Sequence, residues 1–261
     1  MTTRDGRDER TRRTTLAAAT AVIALALVGG LLLRHRATDE AAPGPTAEAA
    51  ASPDGSSRVP WSAAVVGRDD TTVTVHVGPG DARCRDLVQP RATITARDDA
   101  QVVVAVEARI VPVADCTTSG ARVPLVVSLA EPLGDRVLRD AAGTLPPPTY
   151  FERHVPDLPA DKRWSPFSTG CDEGWCQGYN GPGGATLLVT ARRTADVARP
   201  APVATVRVGP HRGVVTGAPE RSWTVWWEAG DATYSLRLAP AEGASFTLAQ
   251  FERELARLRW S

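Results

Sequence analysis

Ser222–Leu238 reads SWTVWWEAGDATYSLRL and places three of the chain's seven tryptophans within five positions. Strand side chains alternate between faces, so Trp223, Val225 and Trp227 share one face and Thr224, Trp226 and Glu228 the other. Gly230-Asp231 suits a two-residue type II′ loop, which pairs Trp227 with Tyr234, Val225 with Leu236 and Trp223 with Leu238. One face of this hairpin is therefore bulky, apolar and in need of a cover. Leu248–Trp260 supplies one as a helix. Thr247 is its N-cap, Gln250 completes a capping box, and Phe246 and Phe251 stand at the staple positions. Leu248, Phe251, Leu255 and Leu258 then form an apolar stripe at helical spacing.

Trp226 falls on the opposite face, beside Ser235 and among Thr224, Arg237, Glu228 and Thr233. Three fates are open to it. It packs against another module or connector, it stands exposed under a cation–π contact from Arg237, or it stacks on a ligand such as a wall glycan or a partner side chain. Trp226, Arg237 and Thr224 are accordingly the candidate contact residues.

Upstream, TLLVTARR and VATVRV extend this last segment, residues 185–261, into an antiparallel sheet packed by the C-terminal helix. Residues 61–145 also alternate with period two and are rich in β-branched residues. TTVTVHV, RATITAR, QVVVAVEARIVPV and ARVPLVVSLA follow one another between turn signals, with GDRVLRD as a short last strand. The expectation is an Ig-like antiparallel β-sandwich, with Pro112 and Pro124 confined to edges or bulges. Residues 146–184, opening with PPP and closing with GPGG, read as an ordered connector because they also hold Trp164, Phe167, Trp175 and Tyr179. The fold class is mainly β.

The compartment follows from the other end of the chain. Between Arg13 and Arg34 lie twenty uncharged residues, which as a helix span about 30 Å, the thickness of a bilayer core. Five arginines precede this stretch and Arg34 and Arg36 follow it, a bias that puts the first 13 residues in the cytoplasm and the rest outside. A cleavable signal peptide is the competing reading, with a shorter apolar region and a small-residue cleavage site. The expected order is a cytoplasmic tail (1–13), a transmembrane helix (14–33) held in the lipid bilayer, a disordered tether (34–60) and the outer modules. Ala26 and Gly30 give the helix a small-xxx-small pair. Beyond residue 36 the chain carries 23 Lys+Arg against 27 Asp+Glu, so no nucleic-acid surface is expected.

Cys84, Cys116, Cys171 and Cys176 all follow the membrane segment, where thiols oxidise. Four cysteines allow three pairings; placement favours Cys84–Cys116 and Cys171–Cys176. CDEGWCQGYNGPGG has neither the second ligand pair of a zinc site nor the C-x-x-C of a redox site. No metal or cofactor is expected. The chain has no G-x-S-x-G, H-E-x-x-H, P-loop or S-x-x-K, and its four histidines, His35, His76, His154 and His211, are scattered. No catalytic residue emerges.

The order VATVRVGPHRGVV, WTVWW…YSLRL and TLAQFERELARLRW resembles a module of bacterial membrane-anchored exported proteins, including extracytoplasmic parts of sigma-factor regulators. The first module is similar to exported actinobacterial proteins of unassigned function. Such regulators grip the sigma factor with a folded cytoplasmic domain, for which a 13-residue tail has no room. The resemblance implies location outside the membrane and contact with another envelope protein. The sequence therefore reads as a membrane-anchored sensing, scaffolding or regulatory protein, with a cell-wall glycan-binding module as the alternative.

Overall fold

The alternating runs of the first module form two facing sheets in the computed structural model, which describes residues 55–78, 85–112, 122–171 and 174–260. The first sheet contains β1 (Ser57–Arg58), β4 (Arg85–Arg97), β5 (Gln101–Pro112) and β7 (Val137–Asp140), with β5 pairing all three others. The second has the order β6-β3-β2-β8, with β2 (Ala63–Val66), β3 (Thr72–Val77), β6 (Val123–Ser128) and β8 (Thr149–Phe151). Val73, Val75 and Val77 from one sheet meet Val102, Val104 and Val106 from the other in a common core. The period-two valines thus do what their spacing predicts.

Two pairings depart from an all-antiparallel sandwich: β2–β8 and β5–β7 are parallel. Parallel neighbours need long crossovers rather than hairpins, and the chain between β2 and β8 travels through both sheets before returning. Pro124 lies on β6, an edge strand, as expected. Pro112 is the last residue of β5. Pro90 follows Gln89, whose φ of +53° lies where β4 shifts register between Val88 and Arg91.

The last segment builds a seven-stranded antiparallel sheet in the order β12-β13-β14-β15-β11-β10-β9. Its strands are β9 (Ser165–Phe167), β10 (Trp175–Asn180), β11 (Thr186–Arg193), β12 (Ala204–Val208), β13 (His211–Ala218), β14 (Ser222–Ala229) and β15 (Ala232–Ala239). The hairpin register is the expected one, Trp223 opposite Leu238, Val225 opposite Leu236 and Trp227 opposite Tyr234. Gly230, the first loop residue, has φ +62°, the sign a type II′ turn requires there. Helix α1 (Leu248–Arg257) covers the bulky face and buries Phe251 and Leu255, with the Thr247–Gln250 capping box formed. It stops short of the expected Trp260. Leu258 leaves in extended conformation, and Trp260 turns back against His211 and Trp227.

The expected domain boundaries blur for a physical reason. All four residues of β2 are buried. Ala64 and Val66 face the sandwich core, while Ala63 and Val65, with Tyr150 of β8, belong to the core of the seven-stranded sheet. The second sheet therefore serves two cores, and the modules pack together. The connector is shared out between them, with β8 in the first module and β9 and β10 in the last sheet. Its Val155, Leu158 and Trp164 are buried in the larger core. The tether also ends early: Ser57 and Arg58 pair with β5, and Val59 is buried.

Cys171 and Cys176 are disulfide-bonded. Cys84 and Cys116, the tail, the twenty-residue apolar stretch and the start of the tether lie outside the described residues. Among the described residues no helix is long and apolar enough to cross a membrane.

Candidate functional site

Thr224, Trp226 and Arg237 come together on the face of the seven-stranded sheet turned away from α1. Thr224 stands directly opposite Arg237, and Trp226 opposite Ser235 on one side and Val214 on the other. Trp223 and Trp227 are buried on the other face, where Trp223 stacks on Phe251 of α1 and Trp227 meets the turn after β8. Trp226 is half-buried within its own sheet. Its indole Nε1 donates to Thr216 Oγ1 at 2.9 Å. The polar edge of the ring is thus satisfied, and what the side chain shows to solvent is carbon. Arg237 points its Nε at Ser222 Oγ, 3.0 Å away, which ties it to the neighbouring strand.

One end of this face is covered. From β11 to β12 the chain must pass β15, β14 and β13, and it crosses over this side. Arg199 on that crossover donates to Thr233 Oγ1 at 3.1 Å and pairs with Glu228. Thr233 Oγ1 donates to Thr194 Oγ1 at 3.1 Å. Thr233 is therefore buried despite its outward position. Beyond the crossover lie Trp226, Thr224, Arg237 and Leu188, together with Phe167, whose ring lies where a Cβ on Gly178 would be. Thr190 and Ser235 share a hydrogen bond at 2.7 Å. The result is a surface of carbon patches set among hydroxyls and arginine, fixed on strands.

Two concavities offer alternatives. An open groove of about 620 Å³ runs between Ser62 and Tyr150 of the first module and Arg193 at the end of β11 with Asp196 in the turn after it. Its Arg122 donates to the Gly174 carbonyl at 2.8 Å, and Arg193 to the Pro146 carbonyl at 3.4 Å. These guanidinium groups join loops of the two modules, a structural task. A second groove, about 360 Å³, is lined by Asp69 and Glu152. Their carboxyls are driven apart: hydrogen bonds from Thr72 hold Asp69 down at about 2, and burial pushes Glu152 up. Such divergence suits an acid–base pair. Here, however, Asp69 is occupied by the Thr71 and Thr72 amides and the Thr72 hydroxyl. It closes the β2–β3 turn.

Among the described residues no group of three His, Cys, Asp or Glu side chains is placed to hold a metal. His76 is half-buried opposite Ala63, and burial lowers its pKa with help from Arg122. His154 and His211, expected to be scattered loop residues, are neighbours in a ring cluster described below. Their alignment left no local signal, because one sits in a turn after β8 and the other begins β13. His35 lies outside the described residues.

No protein-family model, curated protein or solved structure matches this chain.

Proposed function

We propose that the chain is a membrane-anchored extracytoplasmic protein whose β body acts by contact with another envelope protein, through the sheet face centred on Trp226. The observation that carries this reading is the half-buried Trp226 beside Thr224 and the exposed Arg237, on the strand-borne face opposite α1. Interface centres favour Trp and Arg on rigid supports. The twenty uncharged residues before Arg34, with arginines on both sides, support the anchor and its orientation. The resemblance of Val203–Trp260 to extracytoplasmic parts of sigma-factor regulators favours the same placement.

A second reading, recognition of a wall glycan, is favoured by one feature. The indole edge is bound to Thr216, so the carbon surface remains for stacking amid Thr and Ser hydroxyls. A single experiment separates the two. The full chain and its Trp226→Ala and Arg237→Glu variants are purified from membranes after mild cross-linking and are also sedimented with purified wall. A protein partner gives a defined adduct that both variants lose, with no pelleting. A glycan gives pelleting that Trp226→Ala abolishes, with no adduct. If the variants match the parent in both assays, this face is not the site.

A further inference from the structure

Two histidines that the contact surface does not use meet where the first module joins the seven-stranded sheet. His154 ends the short turn Glu152–His154 after β8, and His211 begins β13. Their ring centroids are 5.6 Å apart, edge to face. Phe151, Trp227, Tyr234 and Trp260 complete the cluster. Trp227 Nε1 donates to the His154 carbonyl at 3.0 Å, and the Asp157 amide to the Arg259 carbonyl at 2.8 Å. Turn, sheet and C-terminal end are thus held by one group of rings. His211 Nε2 is buried with no hydrogen-bond partner.

The site tolerates neutral imidazoles and resists charged ones. An imidazolium has two N–H donors to satisfy, and His211 has a buried nitrogen without an acceptor. Burial, Arg153 and His211 all oppose a charge on His154, and Asp70 offsets them only in part. On the same turn, Arg153 lies next to His154 and Glu152 is pushed toward its neutral form by burial. From the β2–β3 turn, Asp70 is engaged by Arg153. Asp157 faces Arg68 at 3.7 Å. Tyr234 of β15 stays protonated, its hydroxyl accepting the Phe151 amide. Trp227 of β14 brings no charge, and the C-terminal end brings Arg259 and Trp260. On β13, Arg212 projects to the opposite face of the sheet.

We propose that His154 and His211 form an acid-operated latch: protonation parts the Glu152–His154 turn and the Trp260 end from the seven-stranded sheet, while the sheets themselves persist. The direction follows from linkage. Burial, Arg153 and His211 hold His154 down at about 4, against 6.5 when free, and burial also lowers His211. The opened form therefore binds protons more readily, and closure is lost as pH falls from about 6.5 toward about 4. The latch does not depend on what binds the Trp226 face.

Hydrogen exchange on the purified full chain, corrected for intrinsic rate, tests it at about pH 7 and about pH 5. Peptides covering 152–158 and 255–260 are expected to exchange on the order of tenfold faster at the lower pH, with β10 and β11 unchanged. A His154→Phe/His211→Phe double variant, which keeps rings in place, should lose that step. His76→Gln, remote from the latch, should keep it. Imidazole proton resonances of the unmodified chain provide a check that needs no variant: His154 and His211 should titrate together with the loss of protection. Equal protection at both pH values overturns the latch. So does a loss spread evenly over the sheets, a step surviving in the double variant, or opening while both histidines remain neutral.

Discussion

Trp227 donates its indole N–H to the His154 carbonyl at 3.0 Å, across the join between the turn after β8 and the seven-stranded sheet. Trp227 is 1% exposed and stacks on Tyr234, whose hydroxyl accepts the Phe151 amide. The β14–β15 hairpin thereby holds the chain segment that carries β8 into the first module. Packing within the sheet and packing between modules share the same side chains.

Replacing Trp227 should test that sharing. Trp227→Ala removes a buried ring and should cost about 3–5 kcal/mol, with the His154 carbonyl left without its donor. The measurement is the denaturant midpoint, followed by both near-ultraviolet circular dichroism and a probe in the first module. One shared transition at lower denaturant is expected, since the second sheet lends residues to both cores and so joins the modules.

Glycine substitutions should separate backbone strain from steric conflict. Gly230 has φ +62° with open space where a Cβ would stand, whereas Gly209 has φ +55° and a Cβ there would meet Trp260 at 2.3 Å. Gly230→Ala should cost about 1 kcal/mol from conformation alone. Gly209→Ala should cost about 1–3 kcal/mol more and should loosen the C-terminal end, read as weaker quenching of tryptophan emission. Equal costs at the two positions would contradict the placement of Trp260.

Much of this was legible in the hairpin itself. Alternation and a two-residue loop fix every cross-strand pair in β14–β15, and Thr247, Gln250 and the apolar stripe mark α1. Ala63-Ala64-Val65-Val66 was less legible because both its faces are buried, and such a strand loses the alternation that reports a face. Likewise β8, β9 and β10 lie in a Pro/Gly-rich stretch without clear alternation, and the partner of β8, the strand β2, is distant in sequence. The three candidate contact residues share a face because period two demands it. The crossover that covers Thr233 and pairs Arg199 with Glu228 depends on strand order, which local pattern does not encode. The His154–His211 contact is a tertiary meeting of the same kind.

Acid stability carries a separate signature from Asp69. Hydrogen bonds from Thr72 and Thr71 hold its carboxyl at about 2, below an ordinary 3.8. A depressed carboxyl contributes stability above its unfolded value, and that contribution is lost as pH falls through the folded one. Asp69→Ala should therefore lower the thermal midpoint at neutral pH and flatten its dependence between about pH 4 and about pH 2. If the parent and variant curves stay parallel through that window, Asp69 does not secure the β2–β3 turn.

The contact face is tested most directly by site-specific cross-linking in intact envelopes. A photoreactive phenylalanine analogue is placed at position 226 of the full chain and, as a control, at position 126, where Val126 is 66% exposed on β6. One discrete protein adduct is expected from position 226, weakened by Arg237→Glu, and none of that size from position 126. The same adducts from both positions, or none from position 226 in a normally folded chain, would contradict the assignment of this face.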